Sequence, residues 1–196
     1  SQFCVTYPLS FQHKKEGTNK RILTIDACMK TLDKNTLQSG DVLHCTSERL
    51  LSRIIRKLTK GRVNHSALAI EVWGELFIID AQKDGTNLRP ISEWNKKYKY
   101  SYKIFRPTDF STEIRSKAIS KIGSTPYDFL SLIVWQPIYI LTGKWHGRGN
   151  ENADERMYCS EYIAWLFSYQ NWWQLSPQAV YDLMENDPRF SRIEES

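Results

Sequence analysis

The order of apolar patterns in this sequence predicts an α+β domain built on a central antiparallel sheet. Three observations carry the prediction. One stretch of helical spacing, at residues 47–60, precedes a cluster of short strand patterns. Two of those strands are separated only by Trp73-Gly74, the length of a tight hairpin turn. Helical patterns then resume from residue 112 and hold most of the remaining chain.

Each element has a local reason. Residues 1–20 are polar and irregular, and 21–32 read as a short strand or helix. Together, residues 1–37 form an N-terminal extension packed on a domain that spans 38–196. Ser39-Gly40-Asp41 breaks the chain before a strand at 42–45. Ser47 N-caps the first helix, with Glu48 in its first turn. Leu50, Leu51, Ile54, Ile55 and Leu58 make one face of it, and Arg53, Arg56, Lys57 and Lys60 the other, until Gly61.

Residues 63–72 and 75–81 are the hairpin strands, and Asp84-Gly85 marks a further turn. A short helix at 91–98 leads to a strand at 101–105, closed by Pro107. A helix at 112–122 stops at Gly123. Residues 126–141 are mostly helical and apolar, and 142–157 form a polar loop long enough to be functional. An amphipathic helix covers 159–169, Ser176-Pro177 opens a last helix to about residue 185, and a tail strand lies near Phe190.

Composition removes several function classes. With 41% hydrophobic and 25% charged residues the chain is not intrinsically disordered. The net charge of +5 favours anionic partners, and the basic face of helix 47–60 is the candidate contact with an anionic surface. Charge alone does not make a nucleic-acid binder, and no helix-turn-helix, zinc or RNA-binding signature accompanies it. Cys4, Cys28, Cys45 and Cys159 form no C-x-x-C pair, which argues against zinc, thioredoxin-like and disulfide-scaffold readings. No apolar run reaches 18 residues, since Gln136 and Pro137 interrupt 133–141. No metal or organic cofactor is expected, and a monomer is. No signal peptide opens the sequence, so the expected location is the cytoplasm, or the cell envelope or outside if a leader has been removed.

Cys159 is the strongest chemical candidate. It opens a helix whose buried stripe is Tyr162, Ile163, Leu166 and Phe167. A thiol there meets the positive end of the helix dipole, which favours the nucleophilic thiolate. The same helix start offers backbone N–H groups to an oxyanion. His65 is the candidate base. It shares a strand face with Ala67 and Ala69, small residues that would let the cysteine helix approach. Among the other histidines, only His146, in the polar loop, is a rival. If Val72 pairs with Glu75 across the turn, Ala67 faces Asp80, and Asp80 sits diagonal to His65 on the same face. Asp80 is therefore the candidate group to orient the imidazole. The bland alternative is a non-catalytic binding module, in which Cys159 is buried and unpaired.

These residues together resemble a known family. Gly40-Asp41-Val42-Leu43, Asn64-His65-Ser66-Ala67-Leu68-Ala69-Ile70, Ile79-Asp80-Ala81, Pro126-Tyr127-Asp128-Phe129 and Tyr158-Cys159-Ser160-Glu161 occur in that order. The chain is similar, over residues 38–170, to the permuted NlpC-type papain-like hydrolases, a group related to lecithin-retinol acyltransferase. The resemblance implies a circularly permuted papain-like fold and a cysteine hydrolase working through an acyl-enzyme. It implies Cys159 as nucleophile, His65 as base and acid, Asp80 as orienting group, and Asp41, Tyr127 and Tyr158 near the substrate cleft. The expected substrate is an amide in a peptide, such as a bacterial cell-wall peptide. A lipid or acyl ester is the alternative, because helix 47–60 and the apolar segment 133–141 suit an anionic, greasy surface.

Overall fold

The computed structural model describes residues 36–46, 53, 56–57, 61–97, 102–149 and 153–193. The expected element at 21–32 and nearly all of helix 47–60 lie outside the described residues, although Arg53, Arg56 and Lys57 are helical.

Six strands form one antiparallel sheet: β1 (Val42–Cys45), β2 (His65–Val72), β3 (Glu75–Gln82), β4 (Gly85–Pro90), β5 (Tyr102–Pro107) and β6 (Phe190–Ile193). Their order across the sheet is β4-β3-β2-β1-β5-β6. The first six residues of β2 are all buried, as a central strand covered on both faces requires. Between β2 and β3, Trp73 and Gly74 both take positive φ, 54° and 77°, the signature of a two-residue turn whose twist suits a hairpin. That turn sets the register, with Val72 opposite Glu75 and Leu68 opposite Ile79.

β4 was not foreseen. Gly85–Pro90 carries no apolar alternation, because it is an edge strand with only Thr86 fully buried.

Helices cover both faces. On one face Val42, Leu68, Ile70, Ile79, Ala81 and Phe105 pack against α4 (Cys159–Leu166) and α5 (Pro177–Asn186), through Tyr162, Ile163, Ala164, Leu166, Val180 and Met184. On the other, Leu43, Ala67, Ala69, Ile78 and Ile104 meet Leu37 and the Ile91 and Trp94 side chains of α1 (Ile91–Lys97). α2 (Thr112–Ser120) begins with the Ser111 side chain accepting from the Ile114 N–H, and contributes Ala118 to the first core. Ser176 caps α5 in the same way, accepting from the Ala179 N–H, with Pro177 beside it.

Between α2 and α4 the chain makes a π-helical turn, Ser131–Trp135, that runs into α3 (Gln136–Thr142). The physical cause is Pro137. Proline lacks the N–H of the helical ladder and its ring crowds the preceding turn. The ladder widens just before it, where the Gln136 N–H bonds the Ser131 carbonyl five residues back.

Candidate active site

The start of α4 is fixed by side chains from four directions. The Glu161 carboxylate accepts from the Tyr158 N–H at 2.9 Å, a reach-back bond that closes the helix end. The Ser160 hydroxyl donates to the Leu175 carbonyl at 2.9 Å. The Tyr158 hydroxyl donates to the same carbonyl at 3.2 Å and accepts from Gln136 Nε2 at 2.8 Å. Asp128 accepts from both the N–H and the hydroxyl of Ser131 at the head of the π-helical turn. The first-turn N–H groups, Cys159 included, have no acceptor within the helix.

Burial pushes the Glu161 carboxyl well above the usual carboxylate range, against the pull of its Tyr158 bond. The neighbouring charges of Asp128 and Cys159 add to the rise. Tyr158 is fully buried, and burial pushes its phenol well above the ordinary range.

His65 is the first residue of β2 and Cys159 the first of α4, and the two meet at the end of the sheet. His65 Nε2 lies 3.0 Å from Asp80 Oδ2. The Cys159 side chain also hydrogen-bonds the ring. Burial pulls the imidazole pKa down, but the charge and hydrogen bond of Cys159 and the carboxylate of Asp80 outweigh it. The result is a ring pushed up to about 9. His65 is thus an imidazolium at neutral pH, held between a carboxylate and a sulfur.

Asp80 is fully buried and held by three donors. Besides His65, the Gln82 amide donates to Oδ2 and Arg89 Nε donates to Oδ1 at 3.0 Å. Burial raises its carboxyl, but the bonds from His65 and Gln82 and the charges of His65 and Arg89 hold it below the usual range. Arg89 also grips Asp84 through Nη2 at 2.9 and 2.8 Å.

The expected residues therefore divide. Cys159, His65 and Asp80 come together. His146 lies elsewhere, its ring 6.2 Å from that of Trp135. Tyr127 is half-buried and lines a groove of about 370 Å³ with Lys83, Asp84, Gly85, Gly123, Ser124, Thr125 and Pro126. Asp41 and Tyr158, the other two residues expected near the cleft, are both buried. Asp41 is fully buried, with both carboxylate oxygens taken by Arg106 at 2.8 Å and one also by the Gln38 N–H. Gly40 beside it takes φ 100°, and a Cβ there would lie 2.6 Å from the Phe110 ring. Gly40-Asp41 thus locks the start of β1, the structural role that the burial of Asp41 and its Arg106 clamp support. Tyr158 is likewise inaccessible, with its hydroxyl bonded on both sides.

One correction concerns how the pair meets. Ala67 and Ala69 do share a face, but Leu37, Ile91 and Trp94 cover it. The body of α4 packs on the opposite face, against Leu68 and Ile70. Alternation tells which residues share a face; with both faces apolar, it does not tell which layer covers which. Gln82 and Arg89 went unnoticed in the sequence. The register that finds Asp80 puts Gln82 directly opposite His65, so Gln82 was within reach of the same argument. Arg89 needed β4.

Comparison with known proteins adds to this geometry. The family described as permuted papain-like amidase enzyme, YaeF/YiiX, C92 family, matches residues 36–183. The chain belongs to the C92 family. Its permuted papain-like fold and its standing as a cysteine amide hydrolase follow from that membership. No curated protein matches it. Among solved structures, the chain is similar to one titled metalloprotein yiiX from Escherichia coli O157:H7, at 17% identity and a TM-score of 0.49, covering 82% of this chain and 98% of that one. Among the described residues of this C92 chain, no three His, Cys, Asp or Glu side chains gather to hold a metal ion.

Proposed function

We propose that this C92 member cleaves a peptide amide through a Cys159 thioester, with His65 as base and acid and Asp80 as the group that positions His65. The observation that carries the reading is one buried ring with Asp80 at Nε2 and a second hydrogen bond to Cys159. A non-catalytic module predicts a buried cysteine without such a partner.

The chemistry follows the arrangement. The Cys159 sulfur attacks the carbonyl carbon, a C–S bond forms, and the carbonyl electrons move to oxygen. First-turn N–H groups of α4 receive that oxyanion. The His65 imidazolium gives its proton to the leaving nitrogen as the C–N bond breaks. Water then enters, neutral His65 takes its proton, and attack on the thioester releases the acid and the sulfur with His65 again protonated. Asp80 keeps the ring in the tautomer and tilt both halves require.

For the substrate we favour a short peptide, with a cell-wall peptide as the proposed natural case. The groove supports this. It combines the Lys83 ammonium and the Tyr127 ring, with Asp84 already held by Arg89, in a space sized for a small molecule. Such a lining suits a peptide with a charged end better than a plain acyl chain. Two assays test the proposal. Cys159→Ala should abolish turnover while the far-ultraviolet circular dichroism stays native; retained turnover refutes the nucleophile. A panel of short peptide amides and acyl esters of matched size should show higher kcat/KM on the amides, and faster ester cleavage by an otherwise intact enzyme refutes the substrate class.

A further inference from the structure

The helical segment 129–142 buries Leu132 but turns most of its aliphatic side chains outward. Its inward side carries polar groups bonded to the site: Ser131 to Asp128, and Gln136 to Tyr158 and to the Gln174 carbonyl. Its outward side is apolar. Phe129, Leu130, Ile133, Val134, Ile140 and Leu141 are all exposed, Leu141 at 84%. A helix bathed in water has the reverse arrangement. Contiguous exposed aliphatic surface of this kind marks a docking face.

The surroundings say what docks. From residue 129 to 149 there is no Asp or Glu, while Lys144 and Arg148 follow the stripe. The next carboxylates in the chain are Glu151, Asp154 and Glu155; Asp154 pairs with Lys121, and Glu155 with Arg148, which also lies 3.8 Å from Asp128. The loop after α3 is folded back on it. The Trp145 ring packs on Tyr139 at 5.9 Å, His146 stacks near Trp135, and Trp145 Nε1 donates to the Arg148 carbonyl. This loop keeps Lys144 close in the chain to the exposed Leu141, with tryptophan and tyrosine rings beside them. An aliphatic face, interfacial aromatics and the Lys144 ammonium at its end, with the nearby Asp154 and Glu155 each held by a cation, match the boundary of an anionic bilayer. The segment is about 21 Å long at 1.5 Å per residue, short of the ~30 Å hydrocarbon core, so it lies in the interface plane.

We propose that residues 129–142 and the Lys144–Arg148 loop form a membrane-docking face for anionic phospholipid. The inference stands apart from the amidase chemistry, and its test reads binding. The full chain is sedimented with vesicles of phosphatidylcholine containing phosphatidylglycerol, and with phosphatidylcholine alone. The wild type should bind the anionic vesicles more tightly, and less so as salt rises. Leu141→Glu should weaken binding by about tenfold or more, as loss of one buried leucine predicts. Lys144→Glu should remove most of the preference for anionic lipid. Leu183→Glu, at an exposed position on α5, should bind as the wild type does. Leu141 is so exposed that its replacement does not threaten folding. No binding by the wild type, or equal binding by Leu141→Glu, overturns the proposal. So does sedimentation velocity showing a lipid-free dimer that Leu141→Glu dissociates, since the face then belongs to a second copy.

Discussion

His65 carries opposite demands. It is 7% exposed, and burial alone would leave it neutral, yet the carboxylate and the sulfur beside it keep it charged to about pH 9. The consequence for stability has a definite sign. A histidine whose pKa is higher in the folded state than its ordinary 6.5 stabilises fully below 6.5. That contribution is lost as pH rises through about 9. Denaturant titrations should therefore show unfolding free energy falling between pH 6.5 and about 9, and the fall should be smaller in His65→Gln. Asp80 has the opposite sense: its carboxyl is lowered, so its contribution is present above its ordinary value of 3.8 and is lost on acidification. In kinetics, kcat/KM on an amide should decline above about pH 9 as His65 loses its proton. Replacing the acid–base group itself, by His65→Ala, should lower kcat by about 10²–10⁴-fold. Asp80→Asn tests positioning: kcat should fall with KM nearly unchanged, and the alkaline limb should move to lower pH because, of the two groups that raise the ring, Cys159 and Asp80, the second is then uncharged. An unmoved limb would assign Asp80 a structural role alone.

At the scale of the element, α4 is too short to be stable by itself and depends on its apolar side. Ile163 and Leu166 are buried against Leu68 and Ile70, so Ile163→Ala should cost about 2–5 kcal/mol in denaturant unfolding. Ser176→Ala, which removes the cap of α5, should cost about 0.5–2 kcal/mol. Elements also explain what the sequence makes legible. A two-residue turn fixes the parity of the β2–β3 hairpin, so the Asp80–His65 pairing could be worked out from residue spacing alone. The Ser176-Pro177 start of α5 was equally open, because a cap is a local device. β4 was hidden because an edge strand with one fully buried residue leaves no alternation to read. The π-helical turn was hidden because Pro137 signals an interruption without saying how the ladder adjusts.

For the whole molecule, the sequence order of motifs is enough to imply a permuted papain-like arrangement, since each short motif marks an end of a strand or helix. It leaves open the layer covering each face of β2, because both faces are apolar and the decision belongs to packing between distant segments. Asp41 shows the same limit: its partner Arg106 is 65 residues away, and nothing near Gly40-Asp41 distinguishes a buried clamp from a cleft residue. The helical segment 129–142 shows it again, because an apolar run reads the same whether it faces the core or the outside. What unites the account is the contact of Cys159 with His65 at the end of the sheet. Proton-detected NMR of the His65 ring, titrated in the wild type and in Cys159→Ala, tests that contact most directly. The account predicts a wild-type midpoint near 9 that drops when the sulfur is removed. A ring that titrates at the same pH in both proteins would contradict it.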